Sequence, residues 1–543
     1  VKGKFTCIAG FHLGGHTGTN SGCFGQLLQR ELIESIDKLA ECEGILLSGL
    51  ETTFVTMDFG KELLKPMEPH AKSPVRYVTG NSFNYHGQCP GITSSHSDVK
   101  VMITSEAIMD VCGVPNKWGP PKMKPEYYGW QVTLDAISNA ADPIPHGLLA
   151  LCVADYKQAL MELTLEPEWH KMKPLSDFET LNGRNGVKFI DPMKLDTSVG
   201  YPLGGPKRPY VIEDDPTPDR PVNRRFNDDL MNKIRQCEML WASGQRANCI
   251  ANACKKDEVL PIAKEKCRIF YGSPVALVWG VRKFFLPIVR MMQMNPLVSE
   301  CAVGVNAYSP EWDQLMSHAT KFGTDRIFGG DYKKYDTSLP TQLILAAFRI
   351  LVDIARNCQY TDADLVSMTS IAGDVAYSYI AYNGDMISLI TNMGISGHAL
   401  TVIINGICGS LLQRAAFYTN NPRSLPFREH VALITYGDDN IGSSSEHVKH
   451  DNVTVSEFLK TINMEYTMPD KSSTMKPFLA AESIEFLKRR SVYHPKLGCC
   501  IGALDEDSIF KSLHCHVYGK KSPITQRDAA AINIGTALGE WFC

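Results

Sequence analysis

Residues 431–443, VALITYGDDNIGS, limit this chain more than any other stretch. Val431–Tyr436 is apolar and β-prone, Gly437 opens a tight turn, and the chain returns through Asn440 to Ser443. That pattern predicts a β-hairpin with Asp438 and Asp439 at its tip. Two adjacent carboxylates on a rigid turn repel each other, so the arrangement makes chemical sense when divalent cations neutralise the pair. Mg²⁺ is held this way, by one or two carboxylates plus substrate phosphates. A GDD triplet by itself is usually a solvated turn. The rest of the chain has to decide.

At 543 residues and 44% hydrophobic, the chain can bury a large core and should form several subdomains. A formal net charge of −4 excludes a global basic field, so nucleic-acid binding would need local positive charge. Seventeen cysteines occur without a CxxC, which signals neither a zinc frame nor a disulfide scaffold and fits reduced thiols in a cytosolic compartment. The longest apolar run, 399–412, is broken by Asn405, Gly406 and Gly409 and falls short of the ~20 residues of a membrane span.

Taken in order, the chain begins with a Gly- and β-rich stretch, KFTCIAGFHLGGHTGTNSG, followed by QLLQRELIESIDKLA, which reads as an amphipathic helix. Residues 41–170 are irregular, with a helical patch near 153–165. Residues 196–210, DTSVGYPLGGPKRPY, form a turn-rich loop where backbone amides, Lys207 and Arg208 would meet phosphate. Next, KKDEVLPIAKEKCR crowds Lys255, Lys256, Lys264, Lys266 and Arg268 into fourteen residues. On an extended strand 264, 266 and 268 would point the same way, a positive rail for a triphosphate.

In DRIFGGDYKKYDTSLP, a short apolar strand runs into Asp331, and Thr337 or Ser338 is expected to cap the long amphipathic helix that follows. A carboxylate at a strand end faces a crevice, and Asp336 reaches towards the same space. The segment NMGISGHALTVIING places a loop with Gly394, Ser396 and Gly397 before a helix carrying Thr401 and Asn405 on one face. These two are a core polar pair or a ligand-facing one. After the hairpin come a helix near 455–462, a turn at Pro469 and Asp470 that presents Lys471, and IEFLKRRSVYHP, a short strand with basic Lys488, Arg489 and Arg490. The last fifty residues read as helical.

The ordered series of basic rail, D-x4-D, SG-x3-T-x3-N, YGDD, PDK and FLKR closely resembles the RNA-dependent RNA polymerases of positive-strand picorna-like viruses, over roughly residues 96–543. The resemblance implies an α+β right hand, with a palm built on an antiparallel sheet flanked by helices and with encircling fingers and thumb. It divides the chain into a protease remnant (1–40), a fingertip region (41–170), fingers (171–310), palm (311–365), a fingers insertion (366–400), palm (401–490) and an incomplete thumb (491–543). It further implies nucleotidyl transfer from ribonucleoside triphosphates to an RNA 3′-hydroxyl or a protein primer. Asp331 and Asp438 would ligate two Mg²⁺ or Mn²⁺ ions with Asp439 assisting. Lys256, Lys264, Lys266 and Arg268 would hold the triphosphate. Ser396, Gly397 and Thr401 would line the nucleotide site, with Asp336, Ser396 and Asn405 reading the ribose 2′-hydroxyl. Lys471 would be the general acid for pyrophosphate. Thr197, Ser198, Gly200, Tyr201 and Pro202, with Lys207 and Arg208, would lie along the template, and Phe486, Leu487, Lys488 and Arg489 would grip the primer.

Two departures, Ile395 for the usual Pro and Gly406 after Asn405 where Ser is common, bear on loop stiffness and remove no functional group. Implied partners are RNA template and primer, ribonucleotides, a genome-linked protein primer and other viral replication proteins, at replication complexes in the host cytoplasm. A reverse transcriptase would share the paired aspartates, but Asp336 with Asn405 favours ribose. An inert RNA-binding fragment is the other alternative, and the intact carboxylates speak against it. At the front, GFHLGG followed by a helix resembles the end of the chymotrypsin-like cysteine proteases of the same viruses, with His12 lining a specificity pocket and Cys23 in the wrong order for a nucleophile. The expectation is therefore a polyprotein segment whose mature start lies between about 40 and 80. A missing thumb helix would leave the face at 530–542 uncovered.

Overall fold

The computed structural model describes residues 10–15, 23–27, 69, 71, 73–78, 83–90, 96–123, 128–139, 141–218, 220–264, 266–390, 397–471, 473–480, 484–519 and 524–541. The chain divides into two compact units, Val1–Leu47 and Ser48–Cys543. In the first, strands Gly10–Gly15 and Cys23–Leu27 pair antiparallel, with a register shift between His12 and Gly14. The second strand takes Gln26 and Leu27 from the expected helix, whose remainder lies outside the described residues.

The second unit is α+β. Strands Val431–Tyr436 and Asp439–Ser444 form the expected hairpin, with Tyr436 opposite Asp439 and a two-residue turn of Gly437 and Asp438. Gly437 has φ +65°, the left-handed conformation a two-residue hairpin turn needs at its first position. Strand Ile327–Phe328 adds to the other edge of Asp439–Ser444, ending with Phe328 opposite Gly442. Residues 431–435 are all buried, which is why that strand reads as an unbroken apolar run and does not alternate.

Helix Thr401–Asn420 packs on this strand and against helices Thr341–Arg356 and Asn452–Thr461. Its apolar run is explained by burial among them, and no described helix is long and apolar enough to cross a membrane. A Cβ at Gly406 would stand 2.8 Å from Thr435 Oγ1, so glycine lets the helix lie close against the hairpin. A separate five-stranded sheet has the order Ile269–Gly272, Ile250–Lys255, Tyr379–Tyr382, Asp385–Leu389, Phe83–Gln88, with one parallel pairing between Tyr379–Tyr382 and Ile250–Lys255.

Three local expectations need correction. Neither Thr337 nor Ser338 caps the long helix: both lie in a short helix, Tyr335–Ser338, and Thr341–Arg356 starts after Pro340 without a side-chain cap. Proline drives the preceding residue out of the helical region, and Leu339 accordingly has ψ 122°. Lys264 and residues 266–268 are in no strand but lie between Leu260–Pro261 and Ile269–Gly272, so period-two alternation does not apply to Lys264, Lys266 and Arg268. The last fifty residues hold strand Cys499–Leu504, paired with Arg489–His494, before helices Glu506–His514 and Gln526–Trp541. β-branched and aromatic residues flanking a Pro495 to Gly498 turn are the hairpin signal that the helical reading passed over. On the final helix Ile532, Ile534, Leu538 and Trp541 are exposed, while Ala529, Ala537 and also Ala530, expected on an uncovered face, are buried.

Candidate active site

The hairpin tip is met by carboxylates and cations from segments far apart in the sequence. Asp331 was expected at the end of the apolar strand. Instead Gly329 and Gly330 interrupt that strand, and Asp331 opens a second one, Asp331–Tyr332, paired with Tyr466–Thr467. The turn that follows Tyr466–Thr467 carries Lys471, whose backbone N–H donates to the Met468 carbonyl at 2.9 Å. Its Nζ lies 2.8 Å from Asp331 Oδ2. From the short helix Tyr335–Ser338, Asp336 accepts a hydrogen bond from Asn405 Nδ2 at 2.9 Å. The Tyr335 hydroxyl donates to the Asn405 carbonyl at 2.8 Å, tying that helix to Thr401–Asn420. The alternatives left open for Asn405 resolve in part: its partner is an exposed carboxylate beside the hairpin, not another core residue. Thr401 instead donates to the His398 carbonyl at the helix start.

The electrostatics confirm that these groups share one space. Partial burial, then Asp336 and Asp331, push the Asp438 carboxyl above its ordinary value, with Lys471 opposing. Asp439 is pushed up to about 6 by partial burial, Asp438 and Asp331, against Lys488 and Lys471. Both side chains are solvent-exposed, so the desolvation is that of a concavity and not of a core. Facing them, Arg268 forms a two-pronged pair with Glu258, 2.6 Å on each side. Glu258, with Asp438 and Asp336 beyond it, raises the Arg268 guanidinium further. Burial, Arg268, Lys264 and Lys471 lower the Lys266 ammonium, which places these four cations together. Lys256 stands 3.6 Å from Glu258. Lys255 leaves the group: it is buried and donates to the Met123 carbonyl at 2.8 Å. The basic residues do gather, but around Glu258 and not along a strand.

The predicted template loop docks beside this rail. Val275 N donates to the Val199 carbonyl at 2.8 Å, just beyond strand Ile269–Gly272, and Tyr201 packs on Tyr379 and Met386 of the five-stranded sheet and on Cys89 just past its edge strand. Gly200 faces Pro274 too closely for any Cβ. Thr197 and Ser198 are exposed and Pro202 is half-buried. Lys207 does not face outward: it is buried, lowered to about 8 by that burial, and its Nζ bonds Thr197 Oγ1 and the Ser198 carbonyl, both at 2.7 Å. It staples the loop. Arg208 is exposed and paired with Asp196 at 3.0 Å.

The predicted primer grip also divides. Phe486 is buried against Trp312, Met468 and Leu479, and Arg489 is held by Glu540 at 2.9 Å and by the Tyr308 hydroxyl at 3.2 Å. The basic strand begins only at Arg489, and Leu487 and Lys488 form the turn before it, both at positive φ. Of the four, Lys488 is the one whose charge reaches Asp439. Gly397, with a Cβ that would meet the Tyr271 carbonyl at 2.6 Å, docks the loop before Thr401 on strand Ile269–Gly272. Ser396 lies outside the described residues.

Among the described residues no three His, Cys, Asp or Glu side chains cage an ion unaided. The donor set nonetheless fits Mg²⁺ or Mn²⁺ completed by substrate: hard carboxylate oxygens, open to solvent, raised first by partial burial and then by mutual repulsion that a divalent cation would relieve. Sequence reasoning passed over Glu258, Tyr335, Tyr466 and Asn440. A polar residue directly after the acid pair, entering a buried strand, was the available sign for Asn440.

With this geometry, comparison with known proteins is specific. The family model for viral RNA-dependent RNA polymerase matches residues 94–533. The chain is 30% identical over 305 residues to the replicase polyprotein of Cricket paralysis virus, covering 52% of this chain and 17% of that one. To the genome polyprotein of Deformed wing virus it is 27% identical over 417 residues, covering 73% and 14% respectively. It therefore spans less than a fifth of these relatives' length. Among solved structures, the Sicinivirus 3Dpol RNA dependent RNA polymerase superposes with a TM-score of 0.67 at 17% identity, covering 85% of this chain and 96% of that one, which establishes the right-hand fold. The carboxylates of the hairpin, the Asp336–Asn405 pair and the basic loop thus stand on the scaffold their order in the sequence pointed to, and the chain belongs to the viral RNA-dependent RNA polymerase family.

Proposed function

We propose that this chain extends an RNA 3′-end by template-directed nucleotidyl transfer from ribonucleoside triphosphates. The observation that carries the reading is the convergence of Asp331, Asp336, Asp438 and Asp439 opposite Lys266, Arg268 and Lys471. Asp331, Asp438 and Asp439 would hold Mg²⁺ or Mn²⁺, which when bound supply activation of the attacking 3′-oxygen and charge stabilisation of the leaving pyrophosphate. Arg268 and Lys266 orient the triphosphate, Glu258 fixing the Arg268 guanidinium by its Nε and Nη2 edge. Lys471 holds a proton within reach of the leaving group and is tethered to Asp331 until substrate competes for that carboxylate. Asp336 and Asn405, already bonded to each other, present a donor and an acceptor where a ribose 2′-hydroxyl would sit.

Family membership leaves the reverse-transcriptase alternative without support. A genome-linked protein as primer, association with other replication proteins and residence at cytoplasmic replication complexes belong to the same proposal. Primer extension on a self-priming RNA template with Mg²⁺ tests it, comparing ribo- and deoxyribonucleotides in the wild type and in Asn405→Ala. Ribonucleotide incorporation is expected, with discrimination relaxed in the variant, because a site built to hydrogen-bond a hydroxyl rejects analogues lacking it. Absence of RNA synthesis, or an unchanged ribo/deoxy ratio, counts against the polymerase reading and the ribose pair respectively.

A further inference from the structure

The two acid-bearing strands are not joined by backbone pairing. Strand Ile327–Phe328 is laddered to the hairpin only as far as Phe328 opposite Gly442, and Asp331–Tyr332 belongs to a different two-stranded sheet with Tyr466–Thr467. Where the ladder stops, the Gly329 N–H is taken by Asn452 Oδ1 at 3.0 Å. Asp331 and the Asp438–Asp439 pair repel each other, so something other than the sheet must hold them together.

The Asn440 side chain spans that gap. It follows Asp439 directly, is buried, and its Nδ2 donates to the carbonyl of Gly330, the residue before Asp331, at 3.1 Å. Its Oδ1 accepts from the Tyr466 hydroxyl at 2.9 Å, and Tyr466 is the direct partner of Tyr332 in the Asp331 strand. One primary amide therefore makes the donor and acceptor contacts that a backbone ladder would have made. The two glycines permit the approach: a Cβ at Gly329 would stand 2.9 Å from the Asn440 carbonyl, and one at Gly330 would stand 2.5 Å from the Tyr466 ring. Behind them, the Tyr332 ring lies 4.9 Å from that of Tyr466, and its hydroxyl accepts from fully buried Gln413 on helix Thr401–Asn420 at 3.1 Å.

We propose that Asn440, seated by Tyr466, is a positioning residue that holds Asp331 against Asp438 and Asp439. It touches neither nucleotide nor ion; it sets the separation of the groups that do. The inference rests on the metal reading of these carboxylates. Partners that orient ligating groups typically contribute ~10–100-fold to metal affinity.

The test measures Mn²⁺ binding by electron paramagnetic resonance on the full chain without RNA or nucleotide, beside thermal unfolding. Asp438→Asn should weaken Mn²⁺ binding strongly. Asn440→Leu, which removes the amide that bonds both the Gly330 carbonyl and the Tyr466 hydroxyl, should weaken it by ~10–100-fold. Tyr466→Phe deletes one hydroxyl and is expected to keep the fold while losing part of the same affinity. Because the three groups act as one unit, the double variant should lose less than the sum. If Asp438→Asn weakens binding while Asn440→Leu and Tyr466→Phe bind as wild type, whatever their unfolding temperatures, the positioning role is overturned and the metal reading stands. If Asp438→Asn itself binds as wild type, the metal reading falls and the positioning role falls with it.

Discussion

Two clusters of charge flank the same hairpin and have opposite character. At the tip, Asp331, Asp336, Asp438 and Asp439 crowd together, and partial burial with repulsion from Asp438 and Asp331 lifts Asp439 to about 6. Some distance down the strand, Arg414 is wholly buried, bonded to Glu300 at 2.7 and 2.9 Å and to Asp155 at 2.5 Å, with Arg428 adding a second cation at 3.0 Å from Glu300. There Glu300 is held down at about 2, because Arg414 and Arg428 outweigh a burial that would raise it. The Glu300 carbonyl also accepts from Thr435 N and Oγ1, at 2.7 and 2.8 Å, three residues before Asp438. The inner cluster is neutralised within the chain and anchors the hairpin; in the outer one, burial and neighbouring carboxylates outweigh Lys488 and Lys471. A charged group's partners thus separate scaffold from site better than its depth does.

If that distinction holds, removing charge from the two clusters must have different consequences. Asp438→Asn should abolish RNA synthesis while leaving the fold and RNA binding largely intact, since the lost charge serves metal and not the phosphate groove. Primer extension paired with a filter-binding assay checks this, and activity within about tenfold of wild type would remove Asp438 from the metal set. Arg414→Met should do the reverse. Removing the main partner of the buried Glu300 carboxylate, which keeps only Arg428, should cost up to about 3–5 kcal/mol, read as a lowered denaturation midpoint. Adding Glu300→Gln should recover part of that loss, because the two residues are coupled. Equal stability in wild type and Arg414→Met would break the comparison.

Lys471 stands between the two cases, paired with Asp331 yet 63% exposed. An exposed pair contributes little to stability, so Lys471→Leu should leave the unfolding temperature nearly unchanged. The same change should slow turnover by ~10²–10⁴-fold, the usual contribution of a general acid. Rapid-quench measurement of single-nucleotide addition is the check; an unchanged rate makes Lys471 an ordinary surface cation.

The sequence disclosed the outer cluster far better than the inner one, for a physical reason. Groups that act on a ligand must reach it from turns and strand ends, so Asp438, Asp439, Asp336 and Lys471 carry local signatures of turn chemistry and spacing. Arg414, Glu300 and Asp155 find each other only through tertiary packing: 259 and 114 residues separate Arg414 from its two acids. Nothing local marks them. The same limit explains Phe486 and Arg489, which share a motif with Lys488 but are taken up by Trp312 and Glu540. Lys207 likewise reads as a phosphate contact until the fold turns it inward onto Thr197 and Ser198. The right-hand fold was legible because six ordered motifs specify it jointly; the hairpin at Arg489–His494 and Cys499–Leu504 was not, because an adjoining helical pattern masked a short turn.

The smallest expected effect concerns pH, where the clusters should oppose each other in sign. Asp439 rises from an ordinary 3.8 to about 6 on folding, so between those values the native state binds more protons than the unfolded chain. Its contribution to stability is therefore present at low pH and lost as pH rises towards 6. Glu300 falls from 4.5 to about 2, so its contribution is present above 4.5 and lost as pH drops towards 2. In chelator, the unfolding temperature should decline slightly from pH 5 to pH 7 through the outer cluster, and Asp439→Asn should flatten that decline. Because Asp439 is solvent-exposed, screening keeps the change small. Mg²⁺ should then raise the unfolding temperature at pH 7 more than at pH 5, since the cation competes with protons for the same oxygens. A Mg²⁺ effect independent of pH, or one that survives Asp439→Asn unaltered, would show that the ion binds elsewhere and that crowding at the tip is not what prepares the site.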